Sequence, residues 1–296
     1  MAKLIGPAIN IDGTLRLEAP LDERELTRQA MIVRAGGFEC VDVSLGNLLY
    51  DDDLTWFNAF HAALKNAGLR AVQCHAPVWG NIVRTGDDVD YRLSERDAAA
   101  QARLFDRLGR LGVPVVIFHP HTLYPEKWPD ELLEAHHELN ASVFAAMSEP
   151  ARENGVKIAI ETMATLGDYR AYCADFAELR ALIERLDPAL FGVCVDTGHV
   201  FIEGHTPDAA VRAFADRLLA FHIQDNDGKV DQHNLPPFGA IDWNAFADAV
   251  RESGFRGSFT YEVMGGKVRA LSDALQTAYY TFARCFAGEL MARIEQ

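Results

Sequence analysis

Basic side chains are in short supply. Lys and Arg number 28 against 43 Asp and Glu, which leaves a formal net charge of −15. A chain so acidic is ill suited to gripping nucleic acid or an anionic membrane over a broad surface, since both need cations to neutralise phosphate. Cysteine is sparse too. The five (Cys40, Cys74, Cys173, Cys194, Cys285) are scattered with no C-x-x-C pair, which argues against a disulfide framework or a zinc ribbon and for free thiols in a reducing cytoplasm. No apolar run reaches membrane-span length. The start, MAKLIGPAINIDG, lacks the apolar core of a signal peptide. No glycine-rich dinucleotide fingerprint follows the first strand-like run, and neither a P-loop nor an arginine cluster marks a phosphate site. The expectation is therefore a cytoplasmic protein with no membrane partner and no broad grip on nucleic acid, a local basic groove being left open.

What is present is ample core material, with hydrophobic residues at 49 %. Strand-length runs rich in Val, Ile and Phe recur at 4–9, 38–43, 69–74, 113–118, 157–160, 191–195, 218–221 and 258–261. They lack polar alternation, as expected of parallel strands covered on both faces. Helical patterns are predicted between and after them at about 22–35, 54–66, 92–111, 130–154, 176–186, 207–217, 243–253 and 268–294. The first opens on a capping box, Asp22 with Glu25. A long loop is predicted over 75–89. Eight strands in strict alternation with eight helices, with no linker or composition shift, predict an α/β single-domain (β/α)8 TIM barrel over residues 1–296.

The ends of those runs carry the chemistry. From the third strand onward each stops at a residue able to bind a metal: His75, His119, Glu161, Asp196, His222 and Glu262. Successive members are about one strand–helix unit apart, so a closed barrel brings all six to its C-terminal rim, where barrels carry function. Loops add His199, Asp231 and His233. Three carboxylates in one mouth repel, by roughly 4 kcal/mol per pair at ~4 Å and an effective dielectric of ~20. A divalent cation relieves this, and mixed imidazole and carboxylate ligands suit Mn²⁺, Zn²⁺, Co²⁺ or Fe²⁺ better than Ca²⁺. His136 and His137, on a predicted helix, are expected at the surface, and His61 and His205 are equally unpromising.

The segments IAIETM at Glu161, CVDTGH at Asp196 and His199, FHIQDNDGK at His222, DQHNLPPFGAIDW at Asp231 and His233, and TYEV at Glu262 resemble the xylose isomerase-like barrel superfamily. CHAPVWGN at His75 and IFHP at His119 fit the same pattern more loosely. That superfamily holds sugar isomerases and epimerases together with endonuclease IV. In the sugar branch the resemblance implies one divalent metal (Mn, Zn, Co or Mg) on Glu161, Asp196, His222 and Glu262, with additional ions left open. Glu161 and Glu262, approaching from opposite sides of the mouth, exchange a proton beside the carbonyl of a keto-sugar. His75, His119, His199, Asp231 and His233 bind substrate or a second metal, and Trp79 and Lys229 contact substrate. Gly228-Lys229 stands where ketose 3-epimerases carry an Arg, a departure that counts against that subtype and not against the branch. In the nuclease branch the resemblance implies three zinc ions on nine ligands: His75, His119, Glu161, Asp196, His199, His222, Asp231, His233 and Glu262. Acidic loops after the early strands (SLGNLLYDDD, VWGNIVRTGDDVD) favour the first reading. Lyases and deglycosylases share the scaffold. The expected partner is a small-molecule sugar, and a homo-oligomer is left open.

Overall fold

Alternation along the strands decides where the chemistry can stand. The computed structural model describes every residue except 1–3, 12–22, 51–53, 78–80, 86–87, 93, 124–127, 129 and 264–267. The expected cap at Asp22 and the expected substrate contact Trp79 fall outside the described residues. The strands are β1 (Gly6–Ile11), β2 (Cys40–Ser44), β3 (Arg70–His75), β4 (Asn81–Thr85), β5 (Asp88–Arg92), β6 (Val115–Phe118), β7 (Lys157–Glu161), β8 (Phe191–Asp196), β9 (Leu218–His222) and β10 (Ser258–Tyr261). Eight of them form one parallel sheet in the order β10-β1-β2-β3-β6-β7-β8-β9. The ring closes beyond β9, where Ile223 N–H donates to the Thr260 carbonyl at 2.7 Å and Glu262 N–H donates to the Ile223 carbonyl at 3.0 Å. This is the (β/α)8 barrel that the sequence predicts.

Every second residue points outward, and every other one inward. Ile158, Ile160, Val193, Val195 and Phe221 join the large buried cluster that includes residues of the surrounding helices. Ala159, Cys194 and Ala220 pack separately with Ile117 of β6. This second set is mostly small, as a narrow barrel interior requires. Two residues beyond those three stand Glu161, Asp196 and His222. The parity that buries Ala159, Cys194 and Ala220 inside the barrel also turns the site residues inward at its rim.

Strict alternation does not hold. The predicted loop after β3 contains an antiparallel hairpin, β4 with β5. A short helix, Thr197–Ile202, directly follows β8, with Asp196 accepting the His199 N–H at 2.7 Å as its cap. The predicted helix over 130–154 is divided into a 3-10 turn Asp130–Leu132 and helices Leu133–Ala146 and Ser148–Glu153. Pro150 supplies the reason: it has no N–H to offer the carbonyl four residues back, so the ladder breaks at Met147. His136 and His137 are buried, against expectation. The His136 ring donates to the Leu132 carbonyl and accepts from Leu123 N–H, while His137 pairs with the Tyr172 hydroxyl. They anchor the segment after β6. Cys40, Cys74, Cys173 and Cys194 are buried free thiols and Cys285 is exposed. Among the described residues no helix is long and apolar enough to cross a membrane.

One close approach in the β8–β9 pairing admits no side chain. A Cβ on Gly192 would lie 2.2 Å from the Arg217 carbonyl oxygen and 2.6 Å from Leu219 Cγ. Gly192→Ala is expected to destabilise the protein by about 1–3 kcal/mol through overpacking, lowering the midpoint of urea unfolding. An unchanged midpoint would show that β8 and β9 can part there without penalty.

Candidate metal centre

Register brings the inner group together. Asp196 of β8 lies opposite His222 of β9, and Glu161 of β7 lies opposite Cys194. The closing seam sets Glu262 beside Ile223. One ligand atom from each of Glu161, Asp196, His222 and Glu262 lies within 4.8 Å of all the others. His222 Nδ1 is 2.8 Å from Glu161 Oε1 and 3.4 Å from Glu262 Oε2. Glu161 and His222 are wholly buried, while the Glu262 side chain is 21 % exposed and opens the group to the mouth. Glu161 Oε2, Asp196 Oδ2 and His222 Nε2 are buried with no hydrogen-bond partner. Buried polar atoms are ordinarily paired, so the orphaned Asp196 Oδ2 in this converging set fits a cation, while Glu161 Oε2 faces His75 and His119. β7 and β10 are three places apart in a ring of eight. The two glutamates therefore flank the group from well-separated strands.

A second group shares Glu161. His75 Nδ1 lies 2.8 Å from the Ala76 carbonyl oxygen. A carbonyl only accepts, so this nitrogen carries the proton and the neutral ring presents a lone pair at Nε2. That Nε2 lies 3.1 Å from His119 Nε2, 3.7 Å from Glu161 Oε2 and 3.9 Å from Glu262 Oε1. His119 Nε2 is 3.1 Å from the same Glu161 oxygen. Such atoms need a proton or a cation among them. Their spacing is close to the roughly 3.3 Å edge of a tetrahedron with bonds of ~2.0–2.1 Å. The Glu161 carboxylate thus offers one oxygen to each group.

The outer residues come from the segments after β8 and β9. His199 Nδ1–H donates to the Thr162 carbonyl at 2.9 Å, and His233 Nδ1–H to the Glu262 carbonyl at 3.1 Å. Both therefore turn Nε2 inward, at 3.5 and 2.9 Å from Asp231 Oδ2. His233 adopts a left-handed backbone with φ 47°, uncommon for a residue with a Cβ. Buried Asp225 organises this loop, accepting from Ile241 N–H at 3.2 Å and Trp243 Nε1–H at 2.9 Å while its backbone pairs both ways with Asn234. Lys229 stands apart: it is exposed, with its N–H donating to Asp227.

Two residues escaped sequence reasoning. Asp42, buried on β2, lies 3.8 Å from His222 Nε2. Gln224, wholly buried, touches both Asp196 and Asp231. A polar residue at an inward position of an apolar strand, and one two steps past His222, were the available signals.

Charge within the site is balanced by protons. Burial, then Glu262 and Glu161, push Asp42 up to about 7 against the pull of His222. Burial, then Glu161 and Glu262, push Asp196 up to about 6 against His199. Burial opposes a charged His222, but Cys194, Glu161 and Glu262 outweigh it and hold its pKa well above the ordinary value. Burial likewise opposes a charged His233, yet the bond to Asp231 and the charge of Glu262 raise it to about 9.

Residues 31–279 match the model of the xylose isomerase-like TIM barrel family. The chain is 33 % identical over 211 residues to a probable endonuclease 4 of Halorhodospira halophila, covering 66 % of this chain and 68 % of that one. Its fold is similar to a D-psicose 3-epimerase solved in the presence of D-fructose, at 15 % identity and a TM-score of 0.71, over 96 % of this chain and 99 % of that one. It is similar also to a 3-keto-D-glucoside 4-epimerase from E. coli, at 18 % identity and a TM-score of 0.68, over the same shares. At such identities the last two bear on fold alone.

Because protonated histidines hold the carboxylates together, a divalent cation must displace protons as it binds. Calorimetric titration of metal-free protein at pH 7 is expected to give heats that vary with the ionisation enthalpy of the buffer, in the sense of proton release. Buffer-independent heats would show the histidines already neutral.

Proposed function

The chain belongs to the xylose isomerase-like TIM barrel family, and from that premise we propose that it is a divalent-metal-dependent isomerase or epimerase of a sugar or sugar derivative, working by proton transfer beside a carbonyl. The observation that carries this reading is the convergence of Glu161 and Glu262 on His222 Nδ1, at 2.8 and 3.4 Å. A divalent cation held there supplies Lewis acidity that polarises a carbonyl and acidifies the neighbouring C–H. Glu262, open to the mouth, accepts that proton. Glu161, from another strand, returns one to the carbon. Sealed from solvent, Glu161 exchanges its proton through His119, whose Nε2 lies 3.1 Å away and whose side chain is 28 % exposed. His75 and His199 hold substrate hydroxyls in this reading.

Charge supports a small, weakly charged substrate. The chain carries −15 overall, and Arg170, in the segment after β7, is committed to Asp130 and Glu178. Phosphate chemistry calls for cationic groups at the developing charge. A second reading, an endonuclease IV-like phosphodiesterase, has its own observation: the close approach of His75 Nε2 and His119 Nε2, at 3.1 Å, with Glu161 shared. Its appeal is a second metal ion beside the first, and the relative of Halorhodospira halophila is a probable endonuclease 4.

The test runs metal-reconstituted protein in D₂O against a panel of ketopentoses, ketohexoses and 3-keto-glycosides, and separately against abasic-site DNA. Expected are solvent deuterium at the carbon beside the carbonyl and intact DNA. Glu161→Gln and Glu262→Gln should each keep the fold and lose turnover by about 10²–10⁴-fold. Strand cleavage at abasic sites by protein with three bound zinc ions, without deuterium exchange, would replace this reading with the second.

A further inference from the structure

We propose that Gln224 is a positioning residue that sets the ligand-ready orientation of Asp196 and Asp231 together, coupling the inner metal group to the outer His199–Asp231–His233 trio. The inference rests on the metal centre alone and not on which reaction occurs there. Gln224 lies two residues past His222, wholly buried. Its Nε2 has two hydrogens to give; it donates to Asp231 Oδ1 at 2.7 Å and to Asp196 Oδ1 at 3.3 Å. Its Oε1 accepts the His233 N–H at 3.1 Å. Only one amide orientation satisfies this set, because carboxylates accept and a backbone N–H donates. The main chain is pinned as well, with Gln224 N–H donating to Thr197 Oγ1 at 3.0 Å and its carbonyl accepting from that hydroxyl at 2.6 Å.

The consequence is a choice of oxygen at each carboxylate. Asp196 Oδ1 is occupied by Gln224 and by the His199 N–H, which leaves the orphaned Oδ2 for the inner group. Asp231 Oδ1 is occupied by Gln224, which leaves Oδ2 for His199 and His233. The Oε1 contact also supports the left-handed turn at His233. Gly198 completes the device. A Cβ there would fall 2.3 Å from Gln224 Cδ and 2.7 Å from Asn226 Nδ2, so the glycine keeps the space that the amide fills.

The test titrates metal-free full-length protein with Co²⁺, reading affinity by calorimetry and ligand geometry by the visible Co²⁺ absorption. Gln224→Met keeps the bulk and removes all three polar contacts. Partners that orient metal ligands are typically worth 10–100-fold in affinity. A loss of about that size with a changed Co²⁺ spectrum is expected. Gly198→Ala, which leaves Gln224 present but displaced, should move both readouts in the same direction. Gln224→Glu, isosteric but without the donor pair, covers the case in which the Met variant fails to fold. Folded variants with wild-type Co²⁺ affinity and spectrum, differing only in melting temperature, would overturn the proposal and reduce Gln224 to a packing residue.

Discussion

Carboxylates buried at the mouth of a barrel must be neutralised, and much of this site is built to do that. Glu161 and Asp196 have no access to water, and Glu262 and Asp231 have little. In a dry environment such charges are held only by protons, cations or hydrogen bonds. The histidines supply the first, with His222 and His233 both raised above the usual imidazole value. The orphaned Asp196 Oδ2 marks where a cation fits in the inner group, and Glu161 Oε2 marks the second group beside His75 and His119. A group this unfavourable when unpaired and this well placed for a metal is the signature of a functional site, since stability alone would favour apolar residues there.

Backbone carbonyls do quieter work. His75, His199 and His233 each donate Nδ1–H to a carbonyl, of Ala76, Thr162 and Glu262 respectively. These bonds fix the tautomer and aim three Nε2 atoms inward before any ligand arrives. The rim is thus pre-organised by main-chain atoms of the barrel, and the left-handed His233 is held by the same scaffold.

Under the proposed function the two readings differ in how much of the site they use. The inner group alone would hold one cation able to polarise a carbonyl, whereas the adjoining His75–His119 pair, sharing Glu161, would extend it toward a second ion. The acidic composition and the engaged Arg170 underlie the proposed reading of a small substrate.

Much of this was legible in the amino-acid sequence, for a physical reason: strand parity and strand ends are local properties. Apolar runs stopping at Glu161, Asp196 and His222 announced parallel strands, and successive strand ends in a barrel share a rim. Other features depended on neighbours that no local pattern reveals. His136 and His137 looked like surface residues of a helix, yet the Leu123 amide and the Tyr172 hydroxyl draw them inside. The hairpin β4–β5 interrupts what reads as a loop. Asp42 lies in no motif and Gln224 is an inconspicuous member of one, and both gain meaning only from what packs against them. The sequence by itself determined the barrel and the ring of ligand-type residues, because alternation and spacing are written along the chain. Tertiary structure decided which nitrogen each histidine presents, which oxygen each carboxylate frees and how Glu161 and Glu262 flank the centre, because those depend on contacts between strands far apart in sequence.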